Sequence, residues 1–246
     1  VHNAVLSFVS NGGSVVERVE LPVGTALDLS AYVTEREGYD FTGWYLDAAL
    51  TQPITSLTLE ADTTVYAGWR IRNPFVDVAE KDYFYDAVLW GVENGVVKGM
   101  DETHFEPETV CTRAQALTFL WRANGMPQPK TTTNPFVDVD ASAYYYDAVL
   151  WGIENGIVKG MDETHFEPDT ACSRAHALTF LWRAKGMPQA SGTTFADVPA
   201  NAYYAQAVAW GVENGIVKGM DETYFEPDTL CQRAHAVTFL WRAYAN

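Results

Sequence analysis

The chain has 246 residues, of which 48% are apolar and 20% are charged, with a mean hydropathy of -0.13. These values argue against a disordered chain, and no stretch approaches the roughly 20 apolar residues that a membrane-spanning helix needs. Lysine and arginine number 16 against 32 aspartates and glutamates, and the net charge of -16 argues against nucleic acid and anionic membrane surfaces as partners.

Two further features bear on the context of the chain. It begins at Val1 without a methionine or a signal-type apolar run, so we expect a piece of a longer protein whose export signal lies elsewhere. Its three cysteines are too few for a disulfide framework in a chain of this size.

Residues 1–72 are predicted to form mostly short β-strands. Valine, threonine and tyrosine are frequent, and Asn11-Gly12-Gly13 and Pro22-Val23-Gly24 are turn signals between alternating segments. Two aromatic-rich segments, at residues 38–45 and 64–69, resemble the internalin-type B-repeat, also called the Listeria-Bacteroides repeat. The resemblance implies a small β-grasp-like module that serves as a spacer in surface proteins. We expect its aromatic side chains to form a core.

Residues 73–246 consist of three tandem copies of one unit. The segment that begins at Asn73 recurs from Asn134, 61 residues on, and its Phe-x-Asp-Val part recurs from Phe195 after a further 59. Segments of the form Trp-Gly-x-Glu-Asn-Gly, Lys-Gly-Met-Asp-Glu-Thr and Phe-Leu-Trp-Arg-Ala follow in the same order in each copy. The sequence therefore predicts four parts, at residues 1–72, 73–130, 131–190 and 191–246.

Each copy is predicted to contain two helices around a fixed loop. In the first copy, one helix runs from about Tyr83 to Asn94 and stops at Gly95, a residue suited to the left-handed position after a helix. The second begins at Thr112, which has capping-box spacing to Gln115, and stops near residues 124–125.

The second helix is apolar on nearly all sides. Only a narrow polar stripe of Gln115, Thr118 and Arg122 interrupts the apolar surface, so neighbouring elements must bury it. One unit of about 60 residues has too little interior to do so alone, whereas three can pool their second helices. We therefore expect a compact pseudo-threefold arrangement.

Four ordered motifs in each copy resemble the S-layer homology domain. They are Phe-x-Asp-Val, an aromatic-rich helix ending in Glu-Asn-Gly, a glycine-containing loop to Phe-Glu-Pro, and Thr-Arg-Ala-Gln at the start of the second helix. The resemblance covers residues 73–246 and implies an all-α triplet, a three-pronged spindle around a helical bundle. It also implies non-covalent anchoring to the cell wall through a pyruvylated secondary cell-wall polysaccharide, bound in grooves between prongs.

The resemblance also implies which residues read the ligand. The family's Thr-Arg-Ala-Glu signature supplies an arginine, and this role falls on Arg113, Arg174 and Arg233. A guanidinium can bind both oxygens of a carboxylate, and unpaired N–H groups at the helix start are expected to face the same anion. The alternative is that each arginine covers the helix end and packs its stem. The Lys-Gly pairs of the three copies are further candidates for ligand binding: Lys98, Gly99, Lys159, Gly160, Lys218 and Gly219. The first-helix tryptophans, Trp90, Trp151 and Trp210, are also candidates, and each either stacks on a sugar or packs in the core.

The chain departs from the family pattern around the start of the second helix. The family's glutamate after Arg-Ala is replaced by Gln115, His176 and His235. Its apolar residue before the threonine is replaced by Cys111, Cys172 and Cys231. In the third copy Gln232 replaces the capping hydroxyl. These departures suggest a subfamily with an altered glycan preference.

Two groups of residues in the repeats resemble metal sites. Cys172 with His176, and Cys231 with His235, place a thiol and an imidazole one helical turn apart, a spacing compatible with a zinc-binding pair. Buried free thiols commonly behave as small apolar groups, so we expect packing rather than metal. The acidic loop does not match EF-hand spacing and is expected to be solvated: Asp101, Glu102, Glu106 and Glu108. No metal and no cofactor is predicted.

The sequence predicts a non-catalytic cell-wall anchoring module, because no nucleophile, base and orienting acid form a recognisable set. Its partner would be an anionic cell-wall polysaccharide, its location the bacterial surface after secretion, and the triplet would be monomeric without membrane insertion. The alternative is a scaffold for protein–protein interaction or self-assembly on that surface. A glycan-cleaving enzyme would need a close carboxylate pair, and none can be placed from the sequence.

Overall fold

The computed structural model describes residues 2–192 and 195–245. The chain divides into two compact units, Val1–Asn73 and Pro74–Asn246, and the boundary lies one residue beyond the expected one. In the described ranges, no helix combines the length and the apolar character needed to cross a bilayer.

The predicted β-rich first domain is confirmed. Its described residues form a mixed five-stranded sheet in the order β2-β1-β7-β4-β5 and a separate antiparallel pair of β3 and β6. Strands β1 and β7 are parallel and every other pair is antiparallel. The strand bounds, with a short 3-10 turn at Leu29–Ala31, are β1 Asn3–Val9, β2 Val19–Pro22, β3 Thr25–Asp28, β4 Tyr39–Tyr45, β5 Pro53–Ile54, β6 Ser56–Leu59 and β7 Thr63–Ile71.

Most aromatic side chains of the strand unit lie in or against its core, as expected, whereas Tyr39, Tyr45 and Tyr66 lie outside that cluster. Trp44 is buried, and its Nε1 donates a hydrogen bond to the carbonyl oxygen of Tyr32 at 2.9 Å. Trp69 packs against the same cluster and donates from Nε1 to the carbonyl oxygen of Ser10 at 2.9 Å. Since both indole N–H groups are satisfied, these large rings can be buried without a polar penalty.

The second unit is helical, with two helices in each copy. Their bounds are α1 Tyr85–Glu93, α2 Arg113–Ala123, α3 Tyr146–Glu154, α4 Arg174–Ala184, α5 Ala205–Glu213 and α6 Arg233–Tyr244. The first helix starts two residues later than predicted, because Asp82 closes a turn ahead of it: its carbonyl oxygen accepts from Tyr85 N at 3.0 Å. The left-handed residue after α1 is confirmed, with Gly95 at φ 67.

The predicted cap of the second helix is confirmed. Gln115 N donates to Thr112 Oγ1 at 3.2 Å, and Thr112 N donates to Gln115 Oε1 at 3.1 Å. In the third copy Gln232 takes the capping position and lacks a hydroxyl. Its backbone N–H still has a partner in the helix, because Gln232 N donates to Nδ1 of His235 at 3.3 Å.

The predicted polar stripe is wrong at Thr118. This side chain is only 1% exposed, and its hydroxyl donates to the carbonyl oxygen of Ala114 at 2.7 Å. The bond satisfies the hydroxyl, which allows the helix to be buried on that side as well. Helices α2, α4 and α6 pack against one another and form the centre of the helical core.

The three copies interlock in a closed ring. The first helix of each copy packs on the second helix of the copy before it, so that α3 contacts α2, α5 contacts α4 and α1 contacts α6. Three backbone hydrogen bonds follow the same ring: Cys172 N donates to Cys111 O, Cys231 N to Cys172 O, and Cys111 N to Cys231 O, at 2.7 to 2.9 Å. Each copy is therefore both donor and acceptor to its neighbours.

All three cysteine side chains are fully buried in this ring. Burial raises the pKa of the Cys111 and Cys172 thiols to about 12 and raises that of Cys231 as well. Since the thiolate is the reactive form, burial both hides these groups and keeps them protonated.

We predict that the folded chain does not react with a thiol-specific disulfide reagent at mildly alkaline pH. In concentrated guanidinium chloride all three cysteines should react, and absorbance of the released thiolate counts them. Rapid modification of a thiol in the folded chain, with unchanged circular dichroism, would contradict the buried ring.

Candidate functional site

Two cavities in the helical unit contain two of the arginines predicted from the sequence. The Arg113 groove, of about 110 Å³, is lined by side chains that include Arg113, Lys159, Gly160, His176, Thr179 and Tyr203. The Arg174 groove, of about 190 Å³, is lined by side chains that include Arg174, Lys218, Gly219, His235, Thr238 and Tyr83. Each groove takes residues from all three copies, so a single copy cannot form one.

The third arginine occupies the equivalent position against the first copy. Arg233 donates from Nη2 to the carbonyl oxygen of Lys98 at 2.7 Å and from Nε to that of Phe105 at 2.9 Å. The Arg233 site is the set of residues that match the groove residues in sequence: Arg233, Lys98, Gly99, Gln115, Thr118 and Tyr144.

The backbone N–H groups at the start of the second helices already have partners. Arg113 N donates to the carbonyl oxygen of Thr170 at 2.9 Å, and Ala114 N donates to that of Pro168 at 3.0 Å. The same pair of bonds joins α4 to the loop of the third copy and α6 to the loop of the first. The expectation that unpaired N–H groups face an anion is therefore wrong, because the neighbouring loop takes those donors.

Each arginine side chain is held between two copies. Arg113 is 2% exposed and donates from Nε to the carbonyl oxygen of Phe166 at 3.0 Å and from Nη2 to that of Lys159 at 3.3 Å. Its guanidinium carbon lies 4.8 Å from the ring centre of Phe166 and 5.6 Å from that of Phe180. Arg113 therefore packs between two copies, in line with the alternative of a structural role, and it also forms part of the groove wall.

Arg174 repeats this arrangement with one bond fewer. It donates from Nη2 to the carbonyl oxygen of Lys218 at 3.0 Å and lies over the rings of Phe225 and Phe239. Its Nε atom is buried and has no hydrogen-bond partner. The Arg174 groove therefore leaves a guanidinium donor unused that both other arginines use.

The positive charges of the three arginines lack a contacting counterion. No carboxylate of the described residues forms an ion pair with any of them, and their direct acceptors are neutral carbonyl groups. Burial lowers the pKa of each guanidinium, and carboxylates such as Glu167 and Asp138 near Arg113 oppose this from a distance. A buried cation without a counterion is unfavourable unless an anion joins it.

The glycine of each Lys-Gly pair is required by the packing of its loop. A Cβ at Gly160 would overlap the carbonyl oxygen of Asp162 and lie 2.6 Å from the ring of Phe136. Gly99 and Gly219 face the same obstacles. The lysine side chains are exposed, and the groups that meet the arginines are the lysine carbonyl oxygens.

The aspartate in Phe-x-Asp-Val has a role that was not predicted from the sequence. Asp138 Oδ1 accepts from Phe166 N at 2.9 Å, and its Oδ2 accepts from Glu167 N at 2.7 Å. Because the carbonyl oxygen of Phe166 receives Arg113, Asp138 positions a wall of the groove. Asp77 and Asp197 make the same bonds in the other copies. The recurrence of this aspartate in all copies was the available signal.

Two grooves carry a histidine where the first copy has glutamine. The His176 ring stacks on Tyr203 with centres 5.9 Å apart, and the His235 ring stacks on Tyr83 at 6.4 Å. Burial lowers the pKa of both imidazoles, and so do the nearby guanidinium groups of Arg113 and Arg174. Both rings are therefore neutral near pH 7 and can accept as well as donate hydrogen bonds.

The first-helix tryptophans do not line either groove. Trp151 and Trp210 are buried, and Trp90 is partly buried. Trp151 lines a separate cavity of about 360 Å³. Arg183 lines both this cavity and the Arg113 groove, so the two adjoin there. A ligand would have to extend beyond the groove to reach Trp151.

The possible metal sites show no metal-binding geometry among residues 2–192 and 195–245, where no group of three or more His, Cys, Asp or Glu is placed to hold an ion. Cys172 is buried in the ring described above. In the acidic loop, Asp101 Oδ1 accepts from Thr103 N and His104 N at 2.7 Å, and these bonds lower its pKa to about 2. The carboxylate thus closes a turn.

We predict that Asp138→Asn destabilises the helical unit by about 1.5–3 kcal/mol, because one of two charge-assisted acceptors becomes an NH₂ group facing an N–H. Urea unfolding measures the change. Asp140→Asn is the matched control: Oδ1 of this exposed residue accepts both bonds from Ser142, an amide oxygen can replace it, and we expect a change within about 0.5 kcal/mol. Equal effects of the two variants would contradict the assigned role.

We also predict that the two groove histidines make stability depend on pH. Their pKa is lowered on folding from the ordinary 6.5, so the unfolded chain binds more protons just below that value. Stability should therefore be complete above pH 6.5 and fall as the pH drops below it. Denaturant unfolding across this pH range measures the free energy of unfolding. This free energy should depend less on pH in His176→Gln/His235→Gln, which introduces the glutamine of the first copy, and more on pH in Gln115→His. A slope unchanged in both variants would contradict this.

Sequence comparisons agree with this geometry. Residues 5–68 match the Listeria-Bacteroides repeat domain, and residues 74–117, 135–178 and 194–237 match the S-layer homology domain. The Surface-layer 125 kDa protein of Lysinibacillus sphaericus is 31% identical over 141 residues, 56% of this chain and 12% of that protein. The S-layer protein sap of Bacillus anthracis is 28% identical over 175 residues, 68% of this chain and 20% of that protein.

An amylopullulanase of Thermoanaerobacterium thermosulfurigenes is 25% identical over 183 residues, 72% of this chain and 10% of that enzyme, and this match is due to S-layer homology domains on a larger protein. The chain thus spans between a tenth and a fifth of the length of these relatives. The repeats are non-catalytic, and the matches place the chain outside the cell, attached to the bacterial surface. The chain belongs to the S-layer homology domain family and carries a Listeria-Bacteroides repeat domain ahead of its three repeats.

Proposed function

We propose that the helical unit anchors its protein to the cell wall by binding an anionic, pyruvylated secondary cell-wall polysaccharide in the grooves between repeats. The observation that carries this proposal is the buried guanidinium without a contacting counterion beside a cavity, in the Arg113 and Arg174 grooves. The names of the surface-layer relatives support the same role.

The donors left on the arginines suit a carboxylate. A guanidinium has five N–H groups, and Arg113 uses one on Nε and one on Nη2 within the protein. The remaining N–H groups suffice for two parallel bonds to one carboxylate, the arrangement that favours arginine over lysine at such sites. The ketal carboxylate of a pyruvylated sugar would supply the missing counterion. Because the chain carries a net charge of -16, this attraction must be local.

The groove walls suit a sugar ring. Tyr203 in the Arg113 groove and Tyr83 in the Arg174 groove remain 54% and 57% exposed, so each offers a ring face to solvent. A flat apolar face of a pyranose can pack on such a ring. Since one chain carries more than one groove, a polymer with repeated pyruvylated units would be held by several sites at once, and avidity would exceed the affinity of one groove.

We infer that the helical unit has the three-pronged spindle form of its family, that it acts as a monomer, and that the strand unit is a β-grasp-like spacer. The closed ring of contacts between copies supports the first inference. The parallel pairing of the first and last strands in a mixed sheet supports the last.

Retention on purified sacculi tests the function. We expect the chain to sediment with sacculi that carry a pyruvylated polysaccharide and to stay in solution after the polysaccharide is stripped with hydrofluoric acid. The triple variant Arg113→Lys/Arg174→Lys/Arg233→Lys keeps the charges but not the planar donors. Its affinity for the sacculi should be lower than that of the wild type by a factor of roughly ten or more.

Arg36→Lys in the strand unit is the matched control and should bind like the wild type. Circular dichroism and thermal unfolding establish that each variant is folded. Retention that survives removal of the polysaccharide would instead favour a protein-binding scaffold. Equal retention of a folded triple variant would overturn the role of the arginines.

A further inference from the structure

The unsatisfied polar groups of the chain are not spread evenly. Four buried side-chain atoms among the described residues lack a hydrogen-bond partner: Arg174 Nε, His176 Nδ1, Thr179 Oγ1 and Thr238 Oγ1. Arg174 and Thr238 line the Arg174 groove, and His176 and Thr179 line the Arg113 groove. Buried polar groups normally have partners, so four exceptions in two cavities indicate that a bound molecule completes them.

The threonine position allows a direct comparison between copies. Thr118, Thr179 and Thr238 are equivalent, and each is 1% exposed on the second helix of its copy. Thr118 donates to the carbonyl oxygen one turn back, at Ala114. Helical threonines commonly adopt the rotamer that makes this bond. Thr179 and Thr238 leave their hydroxyls without a partner. Because both residues line their grooves, these hydroxyls are available to a molecule bound there.

The Arg233 site has no such free group. Arg233 uses both its Nε and its Nη2 on carbonyl groups of the first copy. Gln115 accepts a hydrogen bond from Thr112 N through Oε1, and the hydroxyl of Thr118 is taken. Arg233 thus matches Arg113 in its bonds, but the threonine hydroxyl and the acceptor at the position of His176 are occupied by the protein itself at this third position.

On the basis of the function proposed above, we propose that the triplet binds its glycan at two sites, the Arg113 groove and the Arg174 groove, and that the Arg233 site is structural. The recognised chemistry is a saccharide that carries a carboxylate beside ring hydroxyl or acetamido groups. The carboxylate meets the guanidinium, while the hydroxyl or acetamido groups exchange hydrogen bonds with the threonine hydroxyl and with His176 Nδ1 or Arg174 Nε.

The two grooves are also expected to differ from each other. The Arg113 groove offers a free imidazole nitrogen, because His176 Nδ1 is unpartnered, whereas His235 Nδ1 already accepts a hydrogen bond from Gln232 N. The Arg174 groove offers an extra donor, because Arg174 Nε has no partner, whereas Arg113 Nε donates to the carbonyl oxygen of Phe166. The two sites should therefore bind the same sugar with unequal affinities.

Isothermal titration of the full chain with the methyl glycoside of a pyruvylated N-acetyl amino sugar tests the proposal. We expect a stoichiometry of two. Thr179→Val and Thr238→Val remove one hydroxyl each at nearly constant volume, and each should weaken one site roughly tenfold, so that one strong site remains. Thr118→Val is the matched control and should retain both sites. Thr179→Ser and Thr238→Ser keep the hydroxyl and should bind like the wild type.

Thermal unfolding of the same variants separates binding from packing. Without glycoside, Thr179→Val and Thr238→Val should melt at or above the wild-type temperature, because they lose an unsatisfied polar group, whereas Thr118→Val should melt lower. Three equal sites, or two valine variants that bind the glycoside like the wild type, would overturn the assignment. Sacculus retention by the double valine variant equal to the wild type would overturn it and leave the anchoring function intact. A wild-type chain that neither binds the glycoside nor sediments with sacculi would overturn both.

Discussion

The helical unit depends on hydrogen bonds that each copy cannot make for itself. The first N–H groups of every second helix donate to carbonyl oxygens in the loop of the next copy, and the backbone N–H groups at the three cysteines donate in the opposite direction, from each copy to the one before it. A lone copy would leave those helix ends open to water and its apolar second helix uncovered. With three copies the chain of donors and acceptors returns to its start, so that the first N–H groups of all three second helices, as the structure describes them, have partners.

The same contacts create the binding chemistry. Each arginine crosses from one copy to the next, donates to one or two carbonyl oxygens there, and lies between phenylalanine rings. This burial removes water from the guanidinium without supplying a carboxylate. The packing of the core compensates for this loss, and the Arg113 and Arg174 guanidinium groups remain positive sites on the walls of cavities. Stability and the proposed binding of an anion therefore rest on the same side chains.

Repetition of a backbone does not make the three positions chemically equal. The loops, caps and arginine placements recur, yet Gln115 closes a cap at one position while His176 leaves a nitrogen without a partner at another. Such differences of one side chain decide whether a polar atom is available to a ligand. A triplet can thus keep one position for holding the ring together and use the others for recognition.

Local features of the molecule could be read from the residues alone. The number of copies, the Thr112–Gln115 cap, the left-handed Gly95 and the strand-rich first domain depend on spacings of a few residues or on a repeated period, and the structure agrees with them. The satisfied helix ends, the buried Thr118 and the role of Asp138 followed only from the three-dimensional arrangement. They depend on which copy lies beside which, through contacts such as Arg233 with Phe105 that join residues 128 positions apart, and no local pattern specifies that neighbour.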